Sequence, residues 1–211
     1  MKMRKTLATV VAACGLAWGG GNAIASPVLC STVDTIGEWA QQENVGCVQG
    51  DKLWVLNDYD INATAGVSFS VATVVHSMQI TGFDTTDAAG AWSINYTITV
   101  LDPWFWITTM SAGADSPETG GSTSLTKTVT GDPNFSPFVL TVLNGVENAA
   151  SVQTGLKATS LTVDESFTSS AGATLLSVSN TFIQTRIPEP ATLALLGVGL
   201  LGLGLSRRRS A

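Results

Sequence analysis

The stretch Ala91–Val100 alternates apolar and polar residues at every second position, and this period constrains the fold more than any other feature of the chain. Serine, threonine and asparagine occupy the intervening positions. The apolar members are Trp92, Ile94, Tyr96, Ile98 and Val100. A period of two places all apolar side chains on one face of a β-strand. The pattern therefore predicts an antiparallel strand with one face on a core and one face in solvent.

Further short segments of the same texture follow at similar spacing, separated by turns rich in Gly, Asn, Asp and Ser. Residues 67–80 change phase part-way, which predicts a bulge or bend near residues 73–76. The remaining predicted strands are 53–56, 104–110, 123–130, 137–143, 156–167 and 174–183. Seven or eight strands without long helical periodicity predict an all-β fold, a single antiparallel β-sandwich. A closed barrel is the alternative.

The N-terminus has the layout of a secretory signal peptide. Lys2, Arg4 and Lys5 are followed by an apolar segment and by the small-x-small site formed by Ala23 and Ala25. This layout predicts a signal peptide at residues 1–25, cleaved after Ala25, and the alternative is a buried N-terminal helix. With cleavage after Ala25, the body begins at residue 26.

The export prediction determines how the three cysteines are interpreted. Cys14 lies in a segment that resembles a lipobox, which leaves a lipidated N-terminus as an alternative to cleavage after Ala25. Cys30 and Cys47 remain in the body, and an even pair in an exported chain predicts a disulfide worth about 3 kcal/mol. It would bracket a short helix within residues 31–44, where Thr35 and Glu38 have capping-box spacing and Trp39 would face inward.

Charge excludes one class of partner. Residues 26–187 contain four cations and fifteen anions, a net charge near −11. Binding to a phosphate backbone requires Lys and Arg to displace counterions. A nucleic-acid partner is therefore excluded, and electrostatic adhesion to anionic lipid is disfavoured.

Catalytic and metal-binding patterns are weak. His76 is the single histidine, no nucleophile elbow accompanies it, and we expect it on the surface as an ordinary strand residue. No metal site and no cofactor are predicted, because the cysteines lack a second pair of ligands. Three carboxylate pairs are available for glycosidase-type chemistry, and the first also suggests calcium. The pairs are Asp58 with Asp60, Asp84 with Asp87, and Asp164 with Glu165.

Aromatic residues offer a ligand site of another kind. Trp104 and Trp106 alternate along a predicted strand and share one face. Exposed tryptophans stack on sugar rings, so this pair is a candidate glycan-stacking site. A core or interface strand explains the same pattern equally well.

The C-terminal tail has three parts in a fixed order. Pro188, Glu189 and Pro190 precede an apolar segment at residues 191–206, which is followed by Arg207, Arg208 and Arg209. This segment is the predicted transmembrane helix. Its apolar run at residues 191–205 spans about 22 Å as a helix, short for a bilayer core of about 30 Å, and the arginines would stop it on the cytoplasmic side. The tail resembles the PEP-CTERM sorting signal. The resemblance implies recognition by exosortase, a membrane enzyme of Gram-negative bacteria that produce extracellular polysaccharide.

These observations divide the chain into a signal peptide (1–25), an exported domain (26–187) and a sorting signal (188–211). The body would be held at the inner membrane facing the periplasm, then released to the cell surface or the extracellular matrix. The leading interpretation is a non-enzymatic structural or interaction protein. The alternatives are a carbohydrate-binding module and a polysaccharide-acting enzyme.

Overall fold

The computed structural model describes residues 26–187 except 43, 83–89, 117–120, 133–134, 148, 171–172 and 174, and also residues 198 and 200. Two 3-10 turns, Cys30–Thr32 and Ala149–Ser151, and helix α1, Ile36–Ala40, accompany the strands. The strands are β1 (Val28–Leu29), β2 (Cys47–Gln49), β3 (Lys52–Asp60), β4 (Gly66–Ala72), β5 (Val75–Thr81), β6 (Ala91–Val100), β7 (Phe105–Asp115), β8 (Thr123–Gly131), β9 (Phe138–Leu143), β10 (Val152–Ala158), β11 (Ser160–Ser169) and β12 (Ser177–Arg186).

The strands form two sheets that enclose the core. One sheet has the order β1-β2-β3-β6-β11-β8-β9, and the other has the order β10-β7-β12-β5-β4. All pairs are antiparallel except β1 with β2. The β-sandwich prediction is confirmed in this coarse form. Among the described residues there are twelve strands rather than seven or eight, and both sheets are open at their ends, unlike a barrel.

The segment 67–80 is a hairpin and not one bent strand, which corrects the prediction. Strands β4 and β5 pair with each other, and Ala72 lies opposite Val75 at the hairpin end. The two residues between them turn the chain, and Thr73 adopts a φ of 53° there. A positive φ is uncommon for threonine and carries no signal in sequence. The phase change in the apolar pattern came from this turn.

A second predicted strand, 156–167, also divides in two. β10 pairs with β7 in the five-stranded sheet, whereas β11 pairs with β6 and β8 in the seven-stranded sheet. The chain crosses from one sheet to the other at Thr159, whose carbonyl accepts a hydrogen bond from the Val100 amide at 2.8 Å. This crossing, without glycine or proline, links the two layers at the edge of the core.

The core is rich in aromatic side chains, and α1 closes one side of it. The Thr35 hydroxyl accepts from the Glu38 amide at 3.2 Å, and a Glu38 carboxylate oxygen accepts from the Thr35 amide at 3.2 Å, which confirms the capping box. Trp39 is fully buried and meets the Phe69 ring edge-on at 5.2 Å. The helix is shorter than the predicted segment, but its inward tryptophan is confirmed.

Candidate functional site

Three polar side chains meet in the middle of the sandwich, and each occupies an inward position that the strand pattern reserves for apolar residues. Lys127 lies on β8 between Leu125 and Val129, which are both buried. Glu165 lies directly opposite Lys127 on β11, in the same sheet. Asn180 faces them from β12, the central strand of the other sheet. All three residues have 0% exposure, and we call them the Lys127 cluster.

The contacts in the Lys127 cluster form a closed triangle. The Lys127 ammonium donates to Asn180 Oδ1 at 2.5 Å and to the Ser179 carbonyl at 2.9 Å. It also forms an ion pair with Glu165 Oε2 at 3.4 Å. The same carboxylate oxygen accepts from Asn180 Nδ2 at 3.0 Å. The amide is thus held between a cation on its oxygen and an anion on its nitrogen.

Burial governs the electrostatics of the Lys127 cluster. Removal from water lowers the pKa of Lys127, and the charge and hydrogen bonding of Glu165 oppose that shift. Burial, followed by the Glu165 charge, raises the pKa of nearby Tyr96 well above its usual range. Among the described residues, neither the Tyr96 hydroxyl nor Glu165 Oε1 has a hydrogen-bond partner. An unpaired buried polar atom costs folding free energy, so burial of the Glu165 carboxylate at this position is unfavourable for stability.

A second group of polar residues lies at one end of the sandwich, and we call it the Lys52 cluster. The fully buried Lys52 ammonium contacts Asp51 Oδ1 at 2.7 Å and also donates to Gln184 Oε1 on β12. His76 Nε2 lies 3.3 Å from Asp51 Oδ1. Removal from water, with the Lys52 charge second, lowers the pKa of His76, and Asp51 opposes the shift. Burial likewise lowers the pKa of Lys52.

The prediction that His76 lies on the surface is wrong. Its side chain is 1% exposed and faces the core beside Lys52. The error has a physical cause: the inferred phase ran from Ser68 through Ser70 to His76, but the turn at Thr73 reverses that phase. His76 is therefore on the same inward face as Met78 and Ile80, which are also buried.

The two candidate sugar-stacking residues have different surroundings. Trp104 precedes β7, in the connection after β6, and is 49% exposed. Trp106 is half-buried within β7, and the Lys157 ammonium lies 5.5 Å from its ring centroid. One ring is thus open to solvent, and one is partly covered by a cation.

The carboxylate pairs are not gathered into a cleft in the described part of the chain. Asp58 and Asp60 are exposed on β3, while Asp164 and Glu165 point to opposite faces of β11. Asp84 and Asp87 lie outside the described residues. Within the ranges that the structure covers, no three His, Cys, Asp or Glu side chains are grouped as a metal site would require.

The Cys30–Cys47 disulfide is present, as predicted, and joins the first 3-10 turn to β2. Sequence reasoning missed the two buried lysines and Gln184. The signal was available, because Lys127 shares the phase of Leu125 and Val129, as Asn180 shares that of Val178 and Phe182. A charged or amide residue in an apolar phase indicates a buried polar partner on the facing sheet.

The last strand leads directly into the tail. β12 ends at Arg186, and the Ile187 amide donates to the Trp104 carbonyl at 2.6 Å. Residues 186–209 match the family model of the PEP-CTERM protein-sorting motif. This chain carries a PEP-CTERM sorting motif. The motif implies export and processing by exosortase. Several predicted features lie outside the described residues. They are residues 188–190, the apolar segment except 198 and 200, Arg207 to Arg209, Cys14, and the predicted cleavage site at Ala23 and Ala25.

Other comparisons add little about this PEP-CTERM protein. No curated protein matches the chain. A solved structure of TmCBM61 in complex with β-1,4-galactotriose is similar at 10% sequence identity and a TM-score of 0.33, covering 63% of this chain and 88% of that one. A likeness at that score is too weak to support an argument about ligand or function. In the described part of the chain, no helix has the length and apolar character needed to cross a bilayer.

Proposed function

We propose that this PEP-CTERM protein is a non-enzymatic structural or interaction component of the cell envelope or the extracellular matrix, delivered there by exosortase. The observation that carries the proposal is the sorting motif at residues 186–209, which begins at the last residue of β12. The motif supports an address outside the inner membrane. The disulfide supports an oxidising compartment on the way.

The surface of the body supports a role away from nucleic acid and anionic lipid. Of the four cations between residues 26 and 187, Lys52 and Lys127 are fully buried. Lys157 and Arg186 are the two that reach solvent. The outer surface is therefore still more acidic than the sequence count indicates, which favours contacts with neutral or cationic partners and solubility in a hydrated matrix.

The position of Ile187 supports processing close to the folded body. Its amide is bound to the Trp104 carbonyl, and three residues separate it from the apolar segment at 191–206. Four extended residues span at most about 14 Å. Before cleavage, the Trp104 end of the body would thus lie beside the membrane, where tryptophan side chains are favoured.

The test is intact mass spectrometry of the protein from cells with and without exosortase. We expect the mass from normal cells to lack residues 191–211 and the mass from exosortase-deficient cells to retain them. Glu189→Gln in the motif should reduce processing, and Asp60→Asn, the same change on an exposed strand residue, should not. Retention of 191–211 in normal cells would leave a plain membrane anchor. Degradation of the host polysaccharide by the purified protein would contradict the non-enzymatic role.

A second candidate function, carbohydrate binding, is favoured by Trp104. The ring is 49% exposed at the end of the sandwich from which the tail leaves. An exposed aromatic face can stack on a sugar ring. If this function is right, Trp104→Ala should lose binding to the cell's own polysaccharide in affinity electrophoresis, while Asp60→Asn should retain it. Equal mobility of wild type and Trp104→Ala would contradict it.

A further inference from the structure

The Lys127 cluster contains the three groups that an amide exchange between side chains requires. These are an amine nucleophile, a carboxamide electrophile and a carboxyl group that contacts both. The Lys127 Nζ to Asn180 Oδ1 distance is 2.5 Å. Because the carbonyl bond is about 1.2 Å long, Nζ lies at most about 3.7 Å from the carbon that it would attack. That is close to the separation of reacting atoms in a near-attack geometry.

The amide orientation also suits the reaction. An ammonium group only donates and a carboxylate only accepts, so the contacts place Oδ1 toward Lys127 and Nδ2 toward Glu165. The nucleophile is therefore on the carbonyl side, and the proton-transfer group is on the leaving nitrogen. Burial at 0% exposure excludes water, which would otherwise compete for the carbonyl carbon.

We propose that Lys127 and Asn180 become joined by an intramolecular isopeptide bond with loss of ammonia, and that Glu165 is the catalytic carboxyl group. The three residues come from three strands in two sheets, so they meet only after the sandwich has folded. The reaction needs no external reagent.

The step balances in atoms and charge. Lys127 transfers one proton to Glu165 and becomes a neutral amine. Its Nζ attacks Cγ of Asn180 and gives up a second proton, and the Cγ–Nδ2 bond breaks as Glu165 passes the two protons, one after the other, to the leaving nitrogen. The new Nζ–Cγ amide replaces the old one, the carboxylate is regenerated, and ammonium leaves with the charge that Lys127 carried. Desolvation lowers the pKa of Lys127, which makes its neutral amine more accessible.

The Lys52 cluster provides a comparison within the same molecule. Lys52 also donates to a side-chain amide on β12, that of Gln184. Its carboxylate, Asp51, contacts Lys52 and His76 but, within the described part of the chain, forms no hydrogen bond with the Gln184 nitrogen, and it is 23% exposed. The arrangement has no carboxyl group on the leaving nitrogen, and its carboxylate is partly exposed to water. The proposal is therefore confined to Lys127 and Asn180.

Tryptic mapping of the natively folded full chain tests the bond. Between Lys52 and Arg186 the cleavable residues are Lys127 and Lys157, so an unmodified chain yields peptides 53–127, 128–157 and 158–186. An acylated Lys127 resists trypsin. We expect peptide 53–157 joined to 158–186, about 17 Da lighter than the two together, the mass of one ammonia. None of these peptides contains cysteine, so the disulfide does not interfere.

Glu165→Gln tests the catalytic role, because it keeps the shape of the side chain but cannot take up the proton. We expect separate peptides from this variant, with native circular dichroism and the disulfide retained. Asp51→Asn makes the same change beside Lys52 and should leave the cross-link intact. A joined product in Glu165→Gln would overturn the role of Glu165.

The wild-type map decides the proposal even if Glu165→Gln does not fold. Separate peptides 53–127 and 158–186 from the natively folded wild type would overturn the bond. A cross-link at Lys52 instead of Lys127 would overturn its assignment.

Discussion

Reduction of the Cys30–Cys47 disulfide should lower the free energy of unfolding by about 3 kcal/mol. The bond closes a loop with a sequence separation of 17. The loss of chain entropy in the unfolded state for a loop of that size corresponds to about 3 kcal/mol. The loop holds α1 and places Cys47 opposite Val28 in the short β1–β2 pair. For a domain of this size, the melting temperature should fall by about 6–12 °C.

The assay is thermal unfolding of the purified chain followed by circular dichroism, before and after reduction. Reduction keeps both sulfur atoms in place. Cys30 and Cys47 are 2% and 0% exposed, so reduction removes the covalent link with little change in core packing. Cys30→Ala with Cys47→Ala is the control, and its melting temperature should not respond to the reductant. A fall below about 2 °C, with both thiols shown to be free, would refute the entropy argument.

Two further predictions concern single side chains. Because burial lowers the pKa of His76, the unfolded chain binds a proton that the folded chain does not as pH falls below about 6.5, so stability should decline over that window. Between pH 7.5 and pH 5.5, His76→Gln should therefore lose less unfolding free energy than the wild type, as measured by urea titrations. His76 faces Asp51 and Lys52, and the same pH dependence in both proteins would contradict this role of His76. Thr35→Ala should lower the free energy of unfolding by about 1 kcal/mol, measured by urea unfolding, because it removes a helix cap. Glu38→Gln keeps a capping box and should lower it less. Equal losses in the two variants would contradict the assigned capping box.

Local signals in the sequence predicted the parts of the fold that depend on neighbours in the chain. The alternation in Ala91–Val100 coincides with β6, and the Thr35–Glu38 spacing marks the start of α1. The disulfide followed from cysteine count and export. The strand and the helix depend on residues close together in the chain, and the disulfide depends on the oxidising compartment. None of these predictions required knowledge of the facing sheet.

The parts that sequence missed depend on which sheet a strand joins. Nothing in residues 156–167 shows that the chain changes sheets at Thr159, because both halves have strand periodicity. The Lys127 cluster also requires the sheet assignment, since Asn180 is 53 residues from Lys127 and on the opposite layer. The sequence showed that individual polar residues occupy positions in an apolar phase. It did not show which of these residues contact each other across the two sheets.

The central place of β12 sets how the molecule would respond to a pull on its tail. β12 is flanked by β7 and β5 and continues into the sorting motif after Arg186. Hydrogen bonds in antiparallel pairs run perpendicular to the strands. A force along β12 would therefore load the ladders on both sides in shear, many bonds at once, rather than peel an edge strand away bond by bond. While the tail holds the protein, the strand that bears the load is thus the best-supported strand of its sheet.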